Sequence, residues 1–335
     1  MTKPERTQSG KWRIRVEYYD NGKRRFKSFT APTKKEVLAL GYQFESEKQK
    51  LSRYDEMTLQ EAFDRYINAR AGALSPSTVR GYGVIKRNSF EMLMPFQLKD
   101  ITAEMIQTAI SEMSLTMSPK TVRNRHGLLV SVLKAYRPSL MINTHLPQSE
   151  QKERAIPTAA EVRECLDNAS EYLRVPILLA SAGSLRRSEV CALTPEDITD
   201  LGVRVNKAVV HDSDRNLVTK YPKSTAGFRF CPLSKSMIKE VREWKHFGLS
   251  PDKIKKEYQK LKNKHGYEFT FHSFRHYFAS ELHAQGVPDK YIAKVGGWKD
   301  VSTVQKIYQH TLKDKEKIYN KKIVDIFATE LRKKA

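Results

Sequence analysis

Three Thr-x-x-Glu sequences constrain the fold of this chain more than any other local pattern. They lie at Thr33–Glu36, Thr58–Glu61 and Thr158–Glu161. In a capping box, the threonine hydroxyl accepts the N–H three residues on, and the glutamate carboxylate accepts the threonine N–H. Apolar residues at helical spacing follow each one, such as Leu59 and Phe63. The sequence therefore predicts helix starts at these three points, and each start lies in a different region of the chain.

The first region, residues 1–53, is predicted to be a small sheet with one helix. In "KWRIRVEYY", Trp12, Ile14 and Val16 alternate with charged residues, which is the period of a strand with one buried face. "DNG" supplies a tight turn, and "KRRFKSF" returns as a second strand.

This region is strongly basic, with 14 Lys and Arg residues against 6 Asp and Glu residues. Two interpretations stay open: a solvated surface, or a sheet that reads a DNA groove. On the second interpretation, the candidate DNA-binding residues are Arg13, Arg15, Arg24 and Arg25.

The second region, residues 54–148, is predicted to be entirely helical. "SPSTVRGY" at Ser75 and "SPKTVRNR" at Ser118 each place a serine cap before a proline at the first helical position. Arg80 and Arg123 follow one turn later. Because helix N-termini expose unpaired N–H groups, these starts could bind DNA phosphates, or they could be ordinary caps. The polar stretch "QSEQKERAIP" then indicates a linker.

The third region, residues 155–335, has a mixed pattern. Helical "LRVPILLASAG" is followed by strand-like "VRVNKAVV" and "FRFCPL" on either side of the turn-rich "YPKSTAG", and helices resume from Ser234. The predicted class is thus multidomain α+β: a small N-terminal β-sheet plus helix, an all-helical domain, and a mainly helical domain with a small antiparallel sheet. A chain of 335 residues fits two or three such domains.

Composition restricts the classes of function that this chain can have. The net charge of +22 is spread along the chain and favours a polyanionic partner. The apolar runs fall far short of the roughly 20 residues that span a bilayer, so no membrane association is expected. Three widely separated cysteines with no CxxC pair are typical of reduced thiols in a cytoplasmic protein.

The stretch "FHSFRHYFAS", residues 271–280, could bind zinc, bind a phosphate or cover a helix with charge. His272 and His276 are four residues apart, as zinc ligands on a helix can be. A zinc protease would need glutamate directly after the first histidine, where Ser273 stands. With no third ligand at suitable spacing, no metal and no cofactor are expected. Arg275 three residues after His272 favours the phosphate.

Further charged and aromatic residues extend the phosphate hypothesis. Arg186 lies three residues before Glu189, Lys223 lies in "YPKSTAG", and Tyr308 follows Trp298 by ten residues. In this order and spacing, the set resembles the signature of the tyrosine recombinase family, also called the phage integrase family. That signature has an arginine in R-x-x-E, a hairpin lysine, H-x-x-R, a His or Trp after Gly, and a tyrosine about ten residues beyond.

Two positions have a rival candidate. Arg187 adjoins Arg186, but the spacing to Glu189 favours Arg186. Lys220 competes with Lys223, which lies nine residues before Pro232 as in similar integrases. Related chains often carry glycine where Ser184 stands here.

The resemblance implies a site-specific recombinase that cleaves and rejoins DNA through a 3′-phosphotyrosine and a Holliday junction. It implies that Arg186, Lys223, His272, Arg275 and Trp298 act on the phosphate, with Tyr308 as the nucleophile. Residues 1–53, 54–148 and 155–335 would be the arm-binding, core-binding and catalytic domains. The expected partners are double-stranded DNA attachment sites, three further protomers in a tetramer, and a possible directionality factor or host DNA-bending protein.

Two alternatives are a type IB topoisomerase-like enzyme and an inactive architectural DNA-binding protein. The final stretch also allows two placements. Its apolar residues could pack within their own domain or dock on a neighbouring protomer, and they are Ile318, Ile323, Ile326, Phe327 and Leu331.

Overall fold

The computed structural model describes residues 1–20, 23–52, 54–148, 155–222, 227–308, 324–325 and 328. The chain divides into two compact units, Met1–Glu150 and Gln151–Ala335. The mixed α+β class predicted from the sequence is confirmed. Across the described ranges, no helix is both long and apolar enough to cross a membrane. Lys223 and the apolar residues of the final stretch lie outside the described residues.

The first unit begins with a three-stranded antiparallel sheet, in the order β1 (Glu5–Arg6), β2 (Trp12–Asp20) and β3 (Lys23–Ala31). Helix α1 (Lys34–Ser52) follows, and Thr33 and Glu36 form the predicted capping box. Alternation along β2 places Ile14 and Val16 on the buried face against this helix.

The rest of this unit is helical, as predicted. It contains α2 (Leu59–Asn68), α3 (Pro76–Arg87), α4 (Ala103–Thr116) and α5 (Pro119–Tyr136), with a 3₁₀ turn at Leu98–Asp100. Their buried side chains form one core, which includes Phe63, Leu98, Ile106, Leu129 and Leu133.

The predicted helix caps of this region hold with one exception. Thr58 and Glu61 form the capping box, and the Ser118 hydroxyl accepts the Thr121 N–H. Ser75 occupies the N-cap position of α3, but its hydroxyl bonds the side chains of Ser77 and Thr78 instead of the backbone. The exception arises because nearby hydroxyls compete with the backbone for the cap.

The second unit begins with α6 (Ala159–Asn168), α7 (Arg174–Ala182) and the short α8 (Arg187–Val190), and Thr158 with Glu161 caps α6 as predicted. Four strands follow, namely β4 (Gly202–Val205), β5 (Ala208–His211), β6 (Leu217–Lys220) and β7 (Arg229–Pro232). The remaining helices are α9 (Lys235–Glu243), α10 (Pro251–His265), α11 (Ser273–Ala284) and α12 (Asp289–Gly296), and residues 301–308 are also helical.

The strand pairing corrects one sequence prediction. "VRVNKAVV" is two strands, β4 and β5, separated at Asn206 and Lys207. β5 pairs with the unpredicted β6, and β4 pairs with β7, so the described strands form two separate antiparallel pairs. Periodicity could not reveal the break, because both halves of the segment have the same strand-like composition.

Buried leucines hold the helical part of the first unit together. Leu129 on α5 is fully buried, whereas Leu115 on α4 is 86% exposed. Leu129→Ala should lower the free energy of unfolding by about 2–5 kcal/mol, since it removes buried methyl groups and leaves a cavity. Chemical unfolding followed by circular dichroism measures this. Leu115→Ala is the matched control, and equal losses in the two variants would contradict the assigned core.

Candidate active site

Three arginines converge in the second unit. Arg186 immediately precedes α8, Arg229 lies on β7 and Arg275 lies on α11. Arg275 is 1% exposed, the Arg229 side chain 3% and the Arg186 side chain 39%. A buried cation is stable only where partners replace its lost hydration, so the bonds of these guanidiniums define the site.

One buried carboxylate, Glu189, binds two of the arginines. Its Oε1 accepts from Arg186 Nη1 at 2.6 Å, and its Oε2 accepts from the Arg186 backbone N–H at 2.8 Å. Arg229 donates to both oxygens, at 3.2 and 2.7 Å. Burial by itself raises the pKa of Glu189, but hydrogen bonds and charge from Arg229, together with Arg186, outweigh it and lower the pKa to about 2. Glu189 is therefore ionised at neutral pH.

Two backbone carbonyls bind the same guanidiniums. The Gly297 carbonyl accepts from Arg186 Nη2 at 3.0 Å and from Arg275 Nη2 at 3.5 Å. The Ser184 carbonyl accepts from Arg275 Nη1 and from Arg229 Nη2. Arg186 and Arg275 thus share an acceptor although 89 residues separate them in the sequence.

Both carbonyls depend on unusual backbone conformations. Ser184 has φ 56° and Gly297 has φ 71°, in the left-handed region that favours glycine. Ser184 stands where related chains often carry glycine, and this conformation gives the physical reason. The serine adopts it at a steric cost that the surrounding contacts must offset.

Trp298 completes the described cluster. The Arg275 guanidinium carbon lies 3.9 Å from the centre of the Trp298 ring, a close cation–π contact. A Cβ at Gly296 would lie 1.8 Å from a Trp298 ring atom, so glycine is required for the indole to pack at this position. Trp298 is 8% exposed.

The cluster carries more positive than negative charge. Among the described residues, the three guanidiniums bind one carboxylate, which leaves two positive charges uncompensated. Burial lowers the pKa of Arg275 well below its ordinary value, and the charges of Arg186 and Arg229 lower it further. A lowered arginine pKa means that the charged form is destabilised in the cluster. An anion that enters the cluster would therefore be stabilised there.

Tyr308 ends the described helical segment 301–308, and its hydroxyl donates to Asp289 Oδ2 at 2.6 Å. Its ring stacks on His283 with centroids 3.5 Å apart, and His283 Nδ1 lies 3.1 Å from Asp289 Oδ1. Burial, and then Asp289, raise the pKa of Tyr308 to about 12. The hydroxyl is therefore protonated at neutral pH.

His272 occupies the N-cap position of α11, three residues before Arg275, and is exposed. Its ring packs edge to face on the ring of His276, with centroids 4.9 Å apart. Within the described ranges, no cluster of three His, Cys, Asp or Glu side chains is arranged to bind a metal. Of the rival candidates, Arg187 lies inside α8 and Lys220 ends β6.

The sequence pattern of the phage integrase family matches residues 148–315, half of the chain. The chain belongs to the phage integrase family. The resemblance inferred from the motifs is thereby confirmed, and the protein is a DNA strand transferase of the tyrosine recombinase type.

Known proteins agree with this assignment. Tyrosine recombinase XerC of Rickettsia typhi is 28% identical over 233 residues, which cover 62% of this chain and 72% of that protein. XerC of Rickettsia prowazekii is also 28% identical, over 235 residues.

Two solved structures share the fold. The Tn1549 transposon integrase in complex with transposon right end DNA matches with a TM-score of 0.64 at 16% identity, covering 79% of this chain and 99% of that one. A lambda integrase tetramer bound to a Holliday junction matches with a TM-score of 0.60 at 18% identity, covering 89% and 96%.

The integrase's N-terminal sheet divides the predicted DNA-binding arginines between two faces. Arg13 and Arg15 lie on the outer face of β2, and Arg24 of β3 joins them there because it pairs opposite residue 19. Arg25 lies opposite Tyr18 and points to the other face, so Arg24 and Arg25 do not share one face of the sheet. On the outer face, Arg13 donates to Glu5 and Arg24 donates to Glu17.

The two helical candidates of the integrase differ in exposure. Arg80, in α3, is partly buried, whereas Arg123, in α5, is exposed and donates from Nε to the Pro147 carbonyl at 3.1 Å.

Sequence reasoning missed Arg229 and Asp289. Alternation in "FRFCPL" predicts Phe228 and Phe230 on the inner face, yet both are exposed and Arg229 shares the inner face with buried Cys231. The burial of Arg229 therefore had no signal in the sequence. Asp289 had no signal either, since an acidic residue in the first turn of a helix is ordinary.

The ion pairs of Glu189 predict how the stability of the integrase depends on pH. Because the folded pKa lies below the unfolded value, the contribution is full above about pH 4.5 and is lost as pH falls towards 2. Glu189→Gln should lower the free energy of unfolding at pH 7 by roughly 3 kcal/mol, and the difference from wild type should shrink below pH 4.5.

Chemical denaturation at several pH values measures this difference. Glu243→Gln, which breaks only an exposed pair with Lys239, serves as the control and should change little at any pH. A Glu189→Gln effect that stays constant between pH 7 and pH 2.5 would contradict the assigned ion pairs.

Proposed function

We propose that this recombinase cleaves DNA by attack of Tyr308 on a phosphodiester bound by Arg186 and Arg275. The surplus positive charge of the arginine cluster carries the proposal. A phosphodiester brings one negative charge, and a second develops on its non-bridging oxygens during attack. Two guanidiniums fixed on a common carbonyl stabilise that charge without having to reorganise.

In the cleavage step, a bond forms between the Tyr308 hydroxyl oxygen and phosphorus while the bond from phosphorus to the 5′-oxygen breaks. The product is a 3′-phosphotyrosine and a free 5′-hydroxyl. The tyrosine proton must leave and the 5′-oxygen must gain one. Lys223 is the proposed donor to the 5′-oxygen. His272 assists proton transfer, and the Trp298 indole N–H can donate to the phosphate.

Tyr308 begins from a conformation that does not suit attack. A phenol that donates to a carboxylate and has a pKa of about 12 is a weak nucleophile. Cleavage therefore requires the hydroxyl to exchange Asp289 for the positively charged phosphate site. The intermediate conserves the energy of the phosphodiester, so the 5′-hydroxyl of a partner strand can reseal it without ATP or metal.

Strand exchange of this kind suits integration and excision of a mobile element or prophage. In our proposal, four protomers pair two attachment sites and exchange strands through a Holliday junction. The lambda integrase tetramer on a Holliday junction, similar in fold, supports this arrangement. A directionality factor or a host DNA-bending protein would select the direction, in the cytoplasm of a bacterial cell or phage-infected host.

In our proposal, the three regions of the chain have different roles. Residues 1–53 would bind arm-type DNA through the outer face of the sheet, and residues 54–148 would bind core DNA, with Arg80 and Arg123 near helix starts. Residues 155–335 would carry the chemistry. The ion pairs of Arg13 and Arg24 are exposed, so a DNA phosphate can replace the carboxylate at little cost.

The nucleophile is tested with a nicked duplex copied from the DNA beside the gene, here called the core duplex. Wild type should form a covalent adduct that survives denaturation, in excess EDTA and without ATP. Tyr308→Phe should bind the duplex and form none, because it keeps the ring and lacks the hydroxyl. Gel electrophoresis of the denatured complex measures the adduct.

Tyr291→Phe is the matched control for this test, since Tyr291 is exposed on α12. It should form adduct at the wild-type rate. An adduct from Tyr308→Phe would overturn the assignment, and no adduct from wild type would favour an inactive DNA-binding protein. Loss of cleavage in EDTA, restored by zinc, would support a metal at His272.

The sheet is tested with longer DNA. Arg13→Ala with Arg15→Ala should weaken binding to full-length attachment DNA and reduce the slope of log affinity against log salt by about 1 per lost phosphate contact. Adduct formation on the core duplex should not change. Lys35→Ala on α1 removes an exposed charge outside the sheet and is the control. Unchanged binding and recombination in the double variant would contradict the arm-binding role and indicate that the basic face of the sheet is only solvated.

A further inference from the structure

Arg229 is a buried cation that the proposed chemistry does not use. Its side chain is 3% exposed, and the described bonds of its two Nη atoms go to Glu189 and to the Ser184 carbonyl. It lies on the inner face of β7, beside Cys231, which is also buried. Burial removes the hydration of such a cation, and an apolar side chain of similar size would fill the same space without that cost. Its contacts should therefore explain why an arginine stands there.

Those contacts are the groups that bind the other two arginines. Arg229 donates to both oxygens of Glu189, the carboxylate that binds Arg186. It donates to the Ser184 carbonyl at 3.1 Å, which also accepts from Arg275.

It further supports Gly297, where a Cβ would lie 2.9 Å from Arg229 Cδ and Nη1. The Gly297 carbonyl accepts from Arg186 and Arg275. Arg229 therefore contacts each of the three groups that bind Arg186 and Arg275.

We propose that Arg229 is a positioning residue, which sets the orientation of Arg186 and Arg275 through Glu189, Ser184 and Gly297. The proposal rests on the function proposed above, in which those two arginines bind the scissile phosphate. The planar fork of a guanidinium can bind both oxygens of Glu189 and a carbonyl at once. A lysine ammonium lacks that geometry, although it retains the charge.

The first test compares Arg229→Met and Arg229→Lys with wild type on the core duplex at saturating protein. Arg229→Met should lower the rate constant of adduct formation by about 100-fold, the effect of displacing a catalytic group by about 1 Å. Binding of the duplex should change by less than about 3-fold, because the Nη atoms of Arg229 bind Glu189 and Ser184 and Arg229 is not one of the proposed phosphate ligands. Arg229→Lys should lie between wild type and Arg229→Met.

The pH profile separates positioning from packing. In wild type, Glu189 stays ionised across pH 5–8, because its pKa is about 2. Without Arg229, less positive charge offsets the effect of burial, so the pKa of Glu189 rises. Arg229→Met should therefore lose rate more steeply than wild type as pH falls from 8 to 5, since a protonated Glu189 no longer holds Arg186 as an ion pair. Arg229→Met with Glu189→Gln should lose this extra acid dependence.

Arg174→Met is the matched control. Arg174 begins α7, and its described hydrogen bonds go to Glu240 and the Leu166 carbonyl, outside the arginine cluster. Its loss should change stability and leave the rate and pH profile at wild-type values. If Arg229→Met does not fold, the thermal midpoint shows this and Arg229→Lys decides the question.

Each outcome is informative. If wild type itself forms no adduct, the proposed function fails. If wild type forms adduct and Arg229→Lys matches its rate at every pH, positioning by Arg229 is wrong. A folded Arg229→Met with a lower rate but no added acid dependence would also overturn the proposed route through Glu189.

Discussion

The ion pairs of Glu189 allow arginines to lie side by side inside the second unit. Guanidinium charges in a poorly hydrated site repel one another, and burial adds to that cost. A single carboxylate that accepts from Arg186 and Arg229 offsets part of it, and the carbonyls of Ser184 and Gly297 satisfy further donors. The compensation is incomplete. The remaining positive charge makes the site suited to an anion.

The same principle operates differently at the N-terminal sheet. There, Arg13 and Arg24 pair with Glu5 and Glu17 at the surface, where water screens the interaction. Buried pairs fix a geometry, whereas exposed pairs keep arginine side chains extended and exchange partners readily. A chain with a net charge of +22 thus uses acidic residues both to organise a site and to arrange a surface.

The sequence predicts those parts of the fold and site that depend on neighbours in the chain. Capping boxes at Thr58 and Thr158 define helix starts because the partners lie three residues apart. Arg186, Arg275 and Trp298 were selected by their order within a family pattern, and the structure brings these three together. Their roles, and those of Lys223, His272 and Tyr308, stay predictions.

Contacts between distant segments could not be predicted. Arg229 reaches Glu189 across 40 residues, and Arg186 reaches Gly297 across 111. No local spacing encodes such pairs. The bond from Tyr308 to Asp289 was missed for a different reason, since the family pattern proposes a nucleophile and does not indicate which group its hydroxyl contacts.

The Gly297 carbonyl has a consequence for how this site can change over time. It is a main-chain group, so a substitution cannot remove it. A substitution can weaken its bonds to the two arginines only by changing the position of the backbone. Selection on this part of the chain should therefore fall on the residues that shape the backbone. These are Ser184 and Gly297, which have left-handed φ values, and Gly296, where a Cβ would collide with Trp298. Substitutions on the surrounding surface would leave the position of the Gly297 carbonyl unchanged.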